Sequence, residues 1–240
     1  MRIKNMNNKK NAFTLAEVFN HSKNVGKNAF TLAEVLITLG IIGTVAAITM
    51  PTLIGSYQKE VYATSLHKAY NEINQAFIRL MSDRQVETLT EAGLNSQANV
   101  DTFAETYFKY TQKCTTTKAP CFADTYTFID GGSATSIIAD STSYVLPSGA
   151  SIRVLYRRDN PNKVINLYID VNGDKKPNML GRDAFFIGIY NDGAIDDWDG
   201  QAVPMTKDRR DAKFGACKNG SATGWGCFGK ILNDNWKMKY

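Results

Sequence analysis

KNAFTLAEVLITLGIIGTVAAITMP occupies Lys27 to Pro51, and how it is read decides the fold. From Val35 to Gln58 there is no charged residue, a run of 24. About 20 helical residues cross the hydrocarbon core of a bilayer. The run is therefore long enough to span, with Pro51 expected to kink the helix by removing a donor and crowding the preceding turn. Gly40, Gly43 and Gly55 lower its helix propensity further. One residue is out of place: Glu34 stands near the start of the run. No small-residue cleavage signal follows the apolar stretch, since Gly55-Ser56-Tyr57 is a poor match. Either the segment is an uncleaved anchor, or the chain is cut ahead of it and the apolar stretch becomes the new N-terminus.

The residues before it are basic. Arg2, Lys4, Lys9, Lys10, Lys23 and Lys27 stand against Glu17 alone, and this leader carries the whole net charge of +5. Residues 30–240 are electrically balanced, so the basic character gives the rest of the chain no nucleic-acid footprint. The positive-inside rule places the leader in the cytoplasm. The nine residues KNAFTLAEV occur twice, at Lys10–Val18 and Lys27–Val35. The first copy is followed by FNHSKNVGK, too polar to begin a membrane helix, so we read it as an inert partial duplication of the leader.

Ala29-Phe30-Thr31-Leu32-x-Glu34, followed by an apolar run with a proline, resembles the start of type IV prepilins and type II secretion pseudopilins. The resemblance covers about 25 residues. In that family a membrane peptidase cuts just before the phenylalanine and methylates the new amine. Carried over, the cut falls between Ala29 and Phe30, which makes Glu34 the fifth mature residue and Pro51 the twenty-second. One departure is Ala29, where the family usually has glycine. The resemblance implies a chain in three parts: a leader at 1–29, a transmembrane and assembly helix at 30–55, and an extracytoplasmic globular domain at 56–240. It implies a single-pass protein of the cytoplasmic membrane, N-terminus inside, that can be drawn into a filament. The implied partners are the prepilin peptidase, further copies and other pilin-like subunits, an assembly platform with its ATPase, and the lipid bilayer; nucleic acid is not expected.

Physics gives Glu34 a role within that frame. A lone carboxylate at membrane depth costs roughly 2.5–3.5 kcal/mol on insertion scales. Cutting before Phe30 creates an amine, and in a bundle of parallel, staggered copies Glu34 of one subunit can reach Phe30 of the next. The charge then sets the register, because wrong staggers leave both groups unpaired. The bland alternative is that Glu34 lies at the interface and snorkels to water.

Beyond Ser56 the apolar stripe narrows. Tyr62, Leu66, Ala69, Ile73, Phe77 and Leu80 follow helical spacing with polar residues between them. The spacing predicts one helix from near Phe30 to about Asp83, on the order of 75–80 Å long. Residues 84–98 read as a loop, and Val100, Phe103, Ala104, Tyr107 and Phe108 as a short helix ending near Gln112. Ser143–Leu146 and Ser151–Tyr156 flank a Gly-containing turn, and Val164–Val171 pairs with Asp183–Tyr190. A short helix near Phe228–Trp236 closes the chain. The fold class expected is α+β and pilin-like: a long N-terminal helix, its apolar half in the membrane, packed on a small antiparallel sheet.

Cys114, Cys121, Cys217 and Cys227 form two close pairs in sequence. Outside the cytoplasm, local disulfides 114–121 and 217–227 are the natural reading, although four cysteines allow three pairings. Asp170, Asn172 and Asp174 place oxygen side chains at alternate positions, as calcium loops do. Lys175 and Gly181 replace the glycine and glutamate such a loop requires, and Lys176 and Arg182 add repelling charge, so a turn between strands is the competing reading. Asp196, Asp197 and Asp199 around Trp198 read as a solvated acidic turn, and the pairs Arg157-Arg158 and Arg209-Arg210 as solvated surface. His67 has no evident partner. No Ser-His-Asp set, Cys-His pair, phosphate loop or H-E-x-x-H motif occurs, so the expectation is a structural protein and not an enzyme. The alternative is a membrane-displayed binding module, a tip adhesin or a minor pilin of DNA uptake.

Overall fold

The computed structural model describes residues 30–115, 119–134, 142–158, 162–198, 200, 205–218, 220 and 224–240. The leader with its first KNAFTLAEV copy, Ala29 and Asp199 lie outside these. The chain divides into two compact units, Met1–Pro51 and Thr52–Tyr240. Helix α1, Leu32–Arg84, belongs to both, and Pro51 sits inside it without ending it.

The described part of the first unit is helix alone. No side chain in it is buried, and Leu36 and Ile42 are 60% and 63% exposed. Its few polar groups are satisfied within the helix. The hydroxyls of Thr38, Thr44 and Thr49 each donate at 2.9 Å to the carbonyls of Val35, Ile41 and Val45. A helix in lipid requires this internal pairing, because hydrocarbon offers no partner.

In the second unit the stripe closes a core. Ala63, Leu66, Ala69, Ile73, Ala76, Phe77 and Leu80 of α1 are buried. They join one apolar cluster with the inner face of a six-stranded sheet. The strands are β1 Gln112–Cys114, β2 Ser143–Val145, β3 Ser151–Tyr156, β4 Lys163–Asp170, β5 Ala184–Tyr190 and β6 Ile195–Asp196. They pair in chain order, each antiparallel to the next. Register puts apolar residues in rows across the inner face: Ile152 opposite Ile169 opposite Phe185, and Val154 opposite Leu167 opposite Ile187. Alternation sends Arg153, Tyr168 and Phe186 to the other face, where Phe122, Tyr126 and Trp225 cover part of the sheet. The molecule is thus α+β, a long N-terminal helix with a small antiparallel sheet.

Several boundaries differ from expectation. Helix α2 is Gln97–Tyr107, capped by the Ser96 hydroxyl, and stops before Gln112 because that residue pairs into β1. Helix α4 is Cys227–Asn233; Asn235 and Trp236 adopt left-handed backbone (φ 52° and 58°), which ends it before Trp236. Helix α3, Lys207–Lys218, was not expected at all. Only Cys217 of it is buried, so it shows no apolar stripe to read.

Candidate functional site

The start of α1 is built by a reciprocal cap. Thr31 precedes the helix, and its hydroxyl accepts from the Glu34 N–H at 3.2 Å. One carboxylate oxygen of Glu34 accepts from the Thr31 N–H at 2.8 Å and from the Thr31 hydroxyl at 2.9 Å. This is a capping box, the S/T-x-x-E/Q arrangement that satisfies two free donors at a helix start. Phe30, just outside it, is 82% exposed. Glu34 is therefore not without a partner in its own chain. Thr31-Leu-Ala-Glu34 carries the sequence signature of this cap, overlapping the processing motif.

The four cysteines form Cys114–Cys121 and Cys217–Cys227, with Cα atoms 6.2 and 5.6 Å apart. The first ties β1 to the loop that covers the outer face of the sheet. The second joins α3 to α4.

Between β4 and β5 the chain uses Asp170 and Asn172 to build a turn. Asp170 is fully buried; it accepts from the Tyr126 hydroxyl at 2.8 Å and from the Asn172 N–H at 3.1 Å. The Asn172 amide donates to the carbonyls of Lys175 and Lys176. At the far end Asp183, also buried, accepts from the N–H groups of Asn178 and Met179 at 2.8 and 2.6 Å. Burial first, and then the neighbouring Asp183 carboxylate, push Asp170 up to about 8. Burial also raises Asp183. Asp174 is exposed, and only its backbone carbonyl is engaged, by the Asn178 amide at 3.4 Å. Among the described residues no group of three or more His, Cys, Asp or Glu side chains is placed to hold a metal ion. Asp170 and the Asn172 amide nitrogen serve this turn, whereas Asp174 is exposed.

The acidic segment around Trp198 is no solvated turn. Asp196 and Asp197 are 2% and 0% exposed. Asp196 takes both arms of Arg210, from Nε at 2.9 Å and Nη2 at 2.7 Å, and also caps the Met205 N–H. Arg210 is thereby committed inward, which corrects the reading of Arg209-Arg210 as solvated surface; Arg157 and Arg158 are exposed as expected. Asp197 accepts from the N–H groups of Trp198, Gly226 and Gly229. Gly226 can approach so closely because a Cβ there would collide with the Lys213 carbonyl, and its φ is +108°. Burial outweighs the three backbone donors and raises Asp197 to about 6. The buried Lys163 ammonium lies 4.2 Å from the Trp198 ring centre and 5.6 Å from that of Trp225.

His67 also has a partner, stacked on Trp236 with ring centres 4.1 Å apart. These side chains hold the globular unit together. Among the described residues, most of the exposed large apolar side chains lie on the first part of α1. Comparison with protein families, with characterised proteins and with solved structures finds no match to this chain.

Proposed function

We propose that this chain is a pilin-like structural subunit. It is cut between Ala29 and Phe30 by a prepilin peptidase and polymerises through α1 into a type IV pilus or a type II secretion pseudopilus. The observation that carries this reading is the bare first half of α1. It is long and apolar enough to cross a membrane, and none of the apolar window is buried within the chain. An apolar rod of this kind needs lipid or the helices of other copies to cover it. In the bilayer lipid does so; in a filament, neighbouring subunits do. A helix whose polar groups are satisfied internally fits both states, since its threonines and its cap need nothing from outside.

Glu34 has two tasks in this reading. One oxygen closes its own helix start, and the charge selects the amine of a neighbouring Phe30. The two tasks separate by substitution. Glu34→Gln keeps the capping box, which accepts either residue, and removes the charge; Glu34→Ala removes both. We expect both variants to be cleaved by the peptidase and neither to assemble filaments or support secretion. Normal assembly by Glu34→Gln would sink the charge-pairing role and leave only the cap.

The reading as a DNA-binding display module is weaker on one specific ground. Of the two arginine pairs that might contact phosphate, Arg210 already belongs to Asp196.

A further inference from the structure

At the start of the globular unit a groove of about 570 Å³ runs between α1 and the last residues of the chain. Ser56, Lys59 and Glu60 line it from the helix, and Trp236, Lys237 and Lys239 from the tail. Three lysines and one glutamate thus line it. Neither Lys59 nor Lys237 has an ion-pair partner among the described residues. Lys239 lies 3.7 Å from Asp234, with its side chain 62% exposed.

The geometry that gathers these cations is specific. Asn235 and Trp236, both left-handed, turn the chain back after α4. Trp236 stacks on His67 of α1, which fixes the tail against the helix. Met238 is buried, at 7% exposure, while Lys237 and Lys239 on either side of it are exposed. The tail is therefore pinned by its methionine and presents its two lysines outward.

Lys59 also occupies a telling place along α1. It is the first charged residue after the 24-residue uncharged run. At 1.5 Å per residue that run is about 36 Å long, against about 30 Å for a bilayer core. A span that begins at Glu34 brings Lys59 out at the level of the lipid headgroups. Tyr57, two residues earlier, is 66% exposed, and an aromatic ring beside lysines is what that interface favours.

We propose that this groove binds the phosphate of an anionic phospholipid headgroup. The proposal rests on the reading of the first half of α1 as a bilayer span. Charge complementarity selects the occupant: three flexible point charges suit a phosphate, and the net positive groove favours a lipid with no compensating ammonium of its own. The contact holds the domain down on the bilayer, and it must be released before a subunit is drawn into a filament.

The test uses the full chain in nanodiscs and in detergent. Carbonate extraction first establishes insertion. Native mass spectrometry then counts bound dihexanoyl phosphatidylglycerol and dihexanoyl phosphatidylcholine, with inorganic phosphate as a third arm. We expect phosphatidylglycerol to bind about tenfold more tightly than phosphatidylcholine. The triple variant Lys59→Gln, Lys237→Gln, Lys239→Gln should lose that preference, and the corresponding Lys→Arg triple should keep it. Equal affinities, or a preference that survives the glutamine triple, would overturn the proposal while leaving insertion intact. Inorganic phosphate binding as tightly as the lipid would assign the groove to a free anion and overturn it as well. A wild-type chain that fails to insert would overturn the span and this site together.

Discussion

Asp197 is a carboxylate with no exposed surface, held by three backbone N–H groups from two separate stretches of chain. A buried acceptor of that kind is costly to disturb, because each orphaned donor loses its only partner. Asp197→Ala should lower stability by about 2–4 kcal/mol, measured by denaturant unfolding followed by circular dichroism. The pH dependence has a definite sign. With the folded pKa raised to about 6 from 3.8, the folded state keeps a proton that the unfolded state has already lost. The contribution of this group to stability is therefore full below about pH 4, falls as pH rises towards 6, and is flat above. Asp197→Asn does not titrate, so its stability should fall less than the wild type's over that window; an identical fall would show that Asp197 titrates as in the unfolded chain. This residue was misread in the sequence for a physical reason. Two aspartates beside a tryptophan look like a solvated turn when their partners, Gly226 and Gly229, lie some thirty residues further on and carry no side chain to betray them. Glu34 is the opposite case. Its partner is three residues away, and the cap was legible but overlooked.

At the level of elements, what could be read was whatever packs an apolar face. The stripe from Leu66 to Leu80 gave the buried side of α1, and the β-branched runs gave β3, β4 and β5. Strands β1 and β6 are three and two residues long, too short for alternation to register. Helix α3 is polar nearly throughout and is fixed by attachments that periodicity does not show, among them the Arg210–Asp196 and Asp211–Lys230 pairs and the Cys217–Cys227 disulfide. If those attachments hold it, cutting one should loosen α3 before the sheet. The double variant Cys217→Ser, Cys227→Ser should lose about 2–4 kcal/mol. Hydrogen exchange should then show residues 207–218 exchanging quickly while β4 and β5 stay protected. Unchanged protection in α3 would mean that its ion pairs and other non-covalent contacts suffice without the disulfide.

Across the whole molecule, two units with different needs share one helix. The unit from Thr52 onward buries its own core and closes two disulfides, as a domain outside the cytoplasm can. Among the described residues, the unit ending at Pro51 buries no side chain and exposes a largely apolar surface. That contrast was readable from the 24 uncharged residues alone, whereas the tail that brings Lys237 and Lys239 beside Lys59 depends on two left-handed residues that no pattern announces. The account makes the bare half an assembly helix that begins at a newly cut amine. Mass spectrometry of the mature N-terminus, on protein isolated from its own cells, tests this most directly. The account predicts a chain that starts at Phe30 and carries one methyl group on its α-amine. A chain that starts at Met1 or at Phe13, or an unmodified amine at any other residue, would contradict it.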